Sequence, residues 1–357
     1  MGQGEGIEAV ARRQRYTSLA RHIGKNEALL TAHHLDDQAE TVLLQLLRGA
    51  GVRGLAGIAP AKSFASGRLL RPLLGFTREE LLEYAQRHAL EWVEDSSNRD
   101  QRYSRNFVRH EVLPLLEQRW PAARRLIVRA GRHAAQASQV LDVVADNDLA
   151  MAIHADTEAL SVPALMRLEG SRRENLIRYW LRRRGLSMPG ALLLRRVAQM
   201  VEATPRSRQA VVSWPGTEVW RYRDGLWAIR PMAEPDPELD LAWIPARPLA
   251  LPGTGYVLRM EDTIGSGLAR ERVAAAKLSV RLRRGGEICR LPGRRHHHKV
   301  KKLLQDAHVP PWERRRLPLI FVDEVLAAVA DRWVCAPFAA QTGEPGWRIV
   351  LERAEKQ

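Results

Sequence analysis

The stretch Thr31–Thr41, TAHHLDDQAET, places two histidines, two aspartates and a glutamate within eight positions. Imidazoles and carboxylates this close can move a proton, hold an ammonium group or ligate a metal. A metallo-hydrolase centre follows a His-x-His-x-Asp-His pattern. The corresponding positions here are Ala32, His34, Asp36 and Asp37, so two of four ligands are missing. Helix capping accounts for Asp37 at an N-cap and Glu40 three residues later, both favoured at the positive end of a helix. It does not account for His33 and His34 at the end of an apolar run. His33, Asp37 and Glu40 are spaced four and three apart, which lines them along one side of a first helical turn.

Further groups suit anionic partners. Glu94, Asp95 and Asn98 make a polar loop cluster, with a simple Asp-Ser turn as the alternative. Arg105, Asn106 and Arg109 follow; the two arginines, four apart, share a helix face suited to phosphate or a nucleic-acid backbone. Arg12 and Arg15, three apart on a helix, could face polyphosphate or solvent. The segment RLRRGGEICRLPGRRHHHKVKK (281–302) carries nine Lys/Arg against one Glu. Leu282, Ile288 and Leu291 interleave the charges, which favours a folded basic face over a solvated tail. Arg281, Arg283, Arg284, Arg294, Arg295, Lys299, Lys301 and Lys302 are its candidate phosphate contacts. Three adjacent histidines cannot share one face, so His296–His298 read as part of the same basic loop. Arg172, Arg173, Arg178 and Arg182–Arg184 form a second basic stripe.

The elements that must position these residues are legible in outline. Residues 7–22 pattern as an amphipathic helix, and EALLTA (27–32) as a buried parallel strand. A helix is expected from about Gln38 to Arg48, with Val42, Leu43, Leu46 and Leu47 inward and Gly49 ending it. Thr77 and Glu80 make a capping box for another helix. Strand then helix at this spacing indicates α/β architecture, whose ligands bind beyond the carboxyl ends of the strands. Helical periodicity fills 121–200, broken near Pro163 and Gly185–Pro189; 210–230 reads as a strand meander. Prolines mark 233–255 as linker or edge.

The chain has 357 residues, room for two or three domains, and 56 Lys+Arg against 41 Asp+Glu, a net charge of +15. That excess favours a polyanionic partner, nucleic acid first. Two cysteines are too few for a disulfide framework. No apolar run approaches a membrane span, and the first residues lack the apolar core of a signal peptide. A bacterial or organellar interior is the expected compartment.

Longer stretches carry a resemblance. AHHLDDQAETVLLQLLRGAGVRGLAGIAP (32–60) resembles the second block of the tRNA(Ile)-lysidine synthetase family, N-type PP-loop ATPases. RPLLGFTREELLEYAQRHALEWVEDSSNRDQRYSRNFVRHEVLPLL (71–116) looks like the next block, through EDSSN, RN and RH. VRLRRGGEI (280–288) and VKKLLQDAHVPPWERRRLPLIFVDEVLAAVA (300–330) are similar to the family's C-terminal domain. The blocks keep the family's order from near residue 6 to about 335.

The resemblance implies a partial doubly wound, Rossmann-like PP-loop ATPase domain over 1–119. A mainly helical middle domain then covers 120–232, a linker or edge region 233–274, and a small α+β C-terminal domain 275–357. It implies a cytoplasmic ligase that adenylates carbon 2 of the wobble cytidine in tRNA(Ile) with a CAU anticodon, then lets the L-lysine ε-amine displace AMP. His33, Asp37 and Glu40 would be catalytic; Arg12, Arg15 and Asp36 would meet ATP, Asp36 through Mg²⁺. Glu94, Asp95, Asn98, Arg105, Asn106 and Arg109 would meet substrate or tRNA with the basic run. No resident metal is implied, and a homodimer is left open. PP-loop enzymes open on a strand and Ser-Gly-Gly-x-Asp-Ser, whose amides hold the ATP pyrophosphate. That sequence is absent from the 357 residues, and GQGEGIEAVARRQRY (2–16) looks like a segment the family carries after the loop. The expectation is a truncated catalytic domain that forms no lysidine alone; a tRNA-binding module without catalysis is the rival.

Overall fold

The computed structural model describes residues 7–93, 102–202 and 210–354, and contacts divide the chain into residues 1–150 and 151–357. The first unit contains α1 (Ile7–Ala20), β1 (Ala28–Leu30), α2 (Leu35–Leu47), α3 (Val52–Leu55), β2 (Ala61–Phe64) and β3 (Gly67–Leu70). After a 3-10 turn (Pro72–Gly75) come α4 (Arg78–Arg87), α5 (Ser104–Phe107), a π turn (Val108–Val112), α6 (Leu113–Arg119) and α7 (Ala123–Ala152). The sheet order is β1-β3-β2. β1 runs parallel to β3 with Leu29 opposite Leu69 and Leu30 opposite Leu70, as expected of EALLTA. It is not the buried strand expected: Ala28 and Leu30 are exposed, because among the described residues β1 has only β3 as a sheet neighbour. β2 and β3 form a hairpin. Its close approach to the preceding loop requires Gly67, since a Cβ there would overlap the Glu27 carbonyl oxygen.

α2 starts three residues earlier than expected. His34, in extended conformation, is the N-cap, and Asp37 stands at N3 instead of the N-cap. The Asp37 Oδ2 accepts the His34 backbone N–H at 3.1 Å, satisfying a donor that the helix leaves open. The buried stripe shifts accordingly. Leu35, Ala39 and Val42 face the core with Val108, Leu113 and Val128. Leu46 and Leu47, expected inward, are 58% and 75% exposed. Asp36 and Glu40 occupy buried positions instead, because arginines from elsewhere neutralise them.

α4 forms where its capping box predicts. The Glu80 N–H donates to Thr77 Oγ1 at 3.1 Å and Thr77 N–H to Glu80 Oε2 at 2.6 Å. The Thr77 backbone bond, joined by the Thr77 hydroxyl, holds the Glu80 carboxyl below its ordinary value of 4.5. The ionised form is therefore favoured in the folded chain. Its contribution is complete above that ordinary value and disappears as pH falls through the lowered folded value. Melting curves between about pH 5 and about pH 3 should show a shallower acid decline for Glu80→Gln than for the parent. Equal slopes would remove Glu80 as a source of that decline.

In the second unit, β4 (Leu160–Ser161), α8 (Val162–Met166), α9 (Gly170–Arg183) and α10 (Ala191–Glu202) precede β5 (Val211–Trp214), β6 (Thr217–Tyr222) and β7 (Gly225–Ile229). The helices bury Leu165, Leu176, Ile177, Trp180, Leu181, Leu194 and Val197. The strands make the expected meander, with β4 on its edge in the order β4-β7-β6-β5. The proline-marked region is more structured than a linker. It carries β8 (Asp240–Ala242), β9 (Leu249–Leu251), β10 (Tyr256–Ile264) and β11 (Leu268–Ala269).

There follow α11 (Arg270–Val273), β12 (Leu278–Leu282), β13 (Ile288–Cys289), β14 (His298–Lys299), α12 (Val300–Asp306) and α13 (Pro311–Arg314). β15 (Pro318–Val322), β16 (Val325–Val329), β17 (Trp333–Val334) and β18 (Pro345–Arg353) end the chain's regular structure. Two sheets result, β11-β18-β10-β9 and β17-β16-β15-β12-β8, with β13-β14 as a small hairpin. Cys289 of β13 and Cys335, just after β17, pair in one disulfide with Cα atoms 5.4 Å apart. Trp312 of α13 meets Trp227 at 5.4 Å, Trp220 at 5.6 Å and Tyr222 at 6.2 Å between ring centroids. Arg314 adds a hydrogen bond to the Tyr222 hydroxyl at 3.1 Å, and Arg316 one to the Gly253 carbonyl at 2.8 Å. Among the described residues no helix is long and apolar enough to cross a membrane.

Candidate active site

β1 and β3 end side by side: Leu30 lies opposite Leu70, and Thr31 N–H donates to the Leu70 carbonyl at 3.1 Å. The carboxyl edge of a parallel pair is where open α/β sheets bind ligands. The chain turns there through Thr31–His34 into α2, so His33, Asp36 and Asp37 gather beside that edge. The His33 Nδ1 lies 2.9 Å from Thr31 Oγ1.

Glu40, one turn further, is fully buried. Its Oε2 accepts Arg105 Nε at 2.9 Å and Arg109 Nη2 at 3.1 Å, and its Oε1 accepts Arg109 Nε at 2.6 Å. Arg109 Nη2 also reaches Asp37 Oδ1 at 3.1 Å, and Arg105 Nη2 reaches Thr41 Oγ1 at 2.9 Å. Both arginines thus turn toward carboxylates, one from α5 and one from the π turn, a distortion common at functional sites. Their side chains keep 24% and 25% exposure, enough to meet a ligand as well. Burial works against the Arg109 charge, but the Glu40 hydrogen bond and the charges of Glu40, Asp37 and Asp36 prevail and raise its pKa.

Arg124 of α7 joins the group, bridging Asp36 Oδ2 and Glu117 Oε1, each at 3.1 Å. Asp36, Asp37, Glu40 and Glu117 therefore meet Arg105, Arg109 and Arg124, four carboxylates against three guanidiniums. By formal charge one carboxylate is left over among the described residues, with the His34 Nε2 3.4 Å from Asp37 Oδ2, a setting that favours a cation. The other Asp36 oxygen, Oδ1, and the His34 Nδ1 are buried without a hydrogen-bond partner. Among the described residues no three His, Cys, Asp or Glu side chains converge as a metal-binding set. Arg124, Glu117 and Thr41 were absent from the sequence-based set. A buried glutamate demands a cation, but no spacing says which of many arginines supplies it.

Other candidates are placed apart or beyond description. Arg15 on α1 is exposed, its guanidinium 5.8 Å from the Tyr16 ring centroid. The Arg12 side chain, and Glu94, Asp95 and Asn98, lie outside the described residues. Asn106 is buried within α5.

The basic run divides in two. Arg281 pairs with Asp240 at 2.8 Å and Glu324 at 2.6 Å, Arg283 with Glu287 at 3.6 Å, and Arg284 with Glu238 at 2.9 Å. The hydrogen bond to Glu324 leads in raising the Arg281 pKa, and its counterpart lowers that of Glu324. Arg294, Arg295, Lys299, Lys301 and Lys302 are exposed and make no ion pair among the described residues. They lie on the β13–β14 hairpin and the start of α12.

A two-stranded parallel edge, a helix carrying acidic residues at its start and arginines clamped on them define a nucleotide-handling α/β domain. Residues 1–116 match the family described as PP-loop domain, so this is a PP-loop ATP-binding domain. Residues 160–227 match the TilS substrate binding domain, and 278–351 the TilS substrate C-terminal domain. The tRNA(Ile)-lysidine synthase of Alkalilimnicola ehrlichii is 44% identical over 98% of this chain and 77% of its own length. That of Methylococcus capsulatus is 42% identical over 94% and 77%, and that of Coxiella burnetii 38% over 98% and 77%. The chain belongs to the tRNA(Ile)-lysidine synthase family.

Proposed function

We propose that this chain is a carbon–nitrogen ligase that joins L-lysine to carbon 2 of the wobble cytidine in tRNA(Ile) with a CAU anticodon. ATP adenylates that position and releases pyrophosphate; the lysine ε-amine then displaces AMP. A cytoplasmic reaction fits this reading, since tRNA, ATP and lysine are all present there. The observation that carries the reading is the net-negative cluster at the carboxyl edge of β1 and β3, in a chain with this family's domain order.

Asp37 is the residue for the lysine ammonium. Its Oδ1 accepts one donor, from Arg109, and can accept a second, while Oδ2 accepts the His34 N–H and lies 3.4 Å from the His34 Nε2. Its side chain keeps 15% exposure. Glu40 takes a different part from the one its spacing suggested: at zero exposure it holds Arg105 and Arg109 in place and touches no substrate. Those guanidiniums then present their exposed edges to phosphate. The attacking amine must lose a proton, and His33 beside the edge is the base. Asp36 fits a Mg²⁺ contact through its partnerless Oδ1, since Mg²⁺ takes oxygen ligands. The ion would offset charge on the ATP phosphates.

Asp37→Asn should weaken lysine use roughly tenfold to a hundredfold, the value of about 1.5–3 kcal/mol for a charge-assisted contact. Binding of tRNA should hardly change. Calorimetric titration with lysine tests binding. Lysidine formation from ATP, lysine and tRNA tests the reaction. Unchanged lysine affinity and kinetics would return Asp37 to helix capping.

A further inference from the structure

Arg71 stands directly after β3, at the sheet edge where Thr31 leaves β1, and is 6% exposed. Its Nη1 donates to the Ala59 carbonyl at 2.6 Å, the single side-chain hydrogen bond it makes among the described residues. Its Nε is buried without a partner, and among the described residues no carboxylate pairs with it. The other arginines buried to this degree are better satisfied. Arg173 meets Glu202 and the carbonyls of Leu165 and Leu168. Arg314 meets the Val309 carbonyl and Tyr222, and Arg316 the carbonyls of Gly253 and Ala233.

A guanidinium cannot shed its charge, and burying it with an unpartnered Nε and no counter-ion costs free energy that an anion or further acceptors can offset. The side chain is held at the ligand-binding edge of the parallel pair. Its neighbours keep it there: Gln38 clamps the adjoining loop through the Ile58 N–H at 2.6 Å and the Ile58 carbonyl at 3.2 Å. Arg71 N–H itself donates to the Pro60 carbonyl at 2.9 Å. We propose that Arg71 is a phosphate-binding residue, its unused N–H groups taking a phosphate oxyanion at the carboxyl edge of β1 and β3. A planar fork of donors suits that anion. The inference rests on the reading of this edge as the reaction centre. The phosphate belongs to the adenine nucleotide or to the RNA backbone.

The test uses the full chain with inorganic pyrophosphate, AMP and tRNA as separate probes, titrated calorimetrically or by filter binding. Arg71→Gln should weaken pyrophosphate and AMP binding at least about tenfold, with Arg71→Lys in between, as befits loss of a charge-assisted contact. Without ligand, the Gln variant should melt no lower than the parent, because an uncompensated buried charge has been removed. A fall confined to tRNA affinity would assign the phosphate to RNA and keep the proposal. Two results overturn it: affinities for all three probes that match the parent's, including their absence in both, or a lower melting point with unchanged affinities. The latter makes Arg71 a structural tie to Ala59. Lysine binding, assigned to Asp37, is followed in parallel, so failure of the functional reading shows there and not in the phosphate arms.

Discussion

Glu40→Gln should destabilise the N-terminal unit by about 3 kcal/mol, the lower end of the range for removing one partner of a buried ion pair. The lower end applies because Arg105 and Arg109 are about a quarter exposed. An amide keeps the shape but loses the charge, and its NH₂ group must face an arginine donor whichever way it turns, since Oε1 accepts from Arg109 and Oε2 from Arg105 and Arg109. Denaturant titration followed by circular dichroism measures the loss. Asp37→Asn, which leaves Glu40 intact, should lose much less stability and more lysine affinity. A Glu40 variant as stable as the parent would show that the arginines find other partners. A Glu40 variant with parental stability and weakened lysine binding would return Glu40 to direct contact.

The second large effect concerns the division of the basic run. Replacing Arg294, Arg295, Lys301 and Lys302 with Ala should weaken tRNA binding and flatten its salt dependence. With roughly 0.7–0.9 log units of slope for each phosphate neutralised, four lost contacts change the log–log slope by about 3. The arginines already paired in the structure, Arg281, Arg283 and Arg284, should behave differently. Their replacement breaks ties to Asp240, Glu324, Glu287 and Glu238 and should alter the slope far less. Filter binding between about 50 mM and about 200 mM salt distinguishes the two sets. Equal slopes for both triple and quadruple variants would mean that the ion pairs open on the RNA, and a parental slope for the quadruple variant would leave the run a solvated face.

What the sequence disclosed depended on how local the cause was. α4 was legible because Thr77 and Glu80 cap it within four residues. The β5–β7 meander was legible because its alternation and turn residues are contiguous. α2 was placed three residues late because a histidine N-cap gives no signal comparable to an aspartate. Its buried face was misjudged for a related reason. Apolar periodicity draws Leu46 and Leu47 inward, whereas the partners that bury Asp36 and Glu40 lie 65 to 88 residues downstream. β10 was hidden for the same reason, since it pairs along nine residues with β18 at the far end of the chain. In this cluster, spacing singles out His33, Asp37 and the two arginines as candidates, but not the contact between the arginines and Glu40. Spacing places residues on a face; it does not say what the face meets.

Trp312 gives the chain an internal optical gauge. Ten tryptophans would ordinarily blur one another's emission. Three of them, Trp220, Trp227 and Trp312, meet in one cluster where the strand meander touches α13. Indoles at 5.4 to 5.6 Å share excitation, and any motion that withdraws α13 from β6 and β7 wets all three together. A red shift on adding tRNA would report that the C-terminal sheets swing away from the meander, and an unshifted spectrum that they grip RNA as one piece, with no label attached to either molecule.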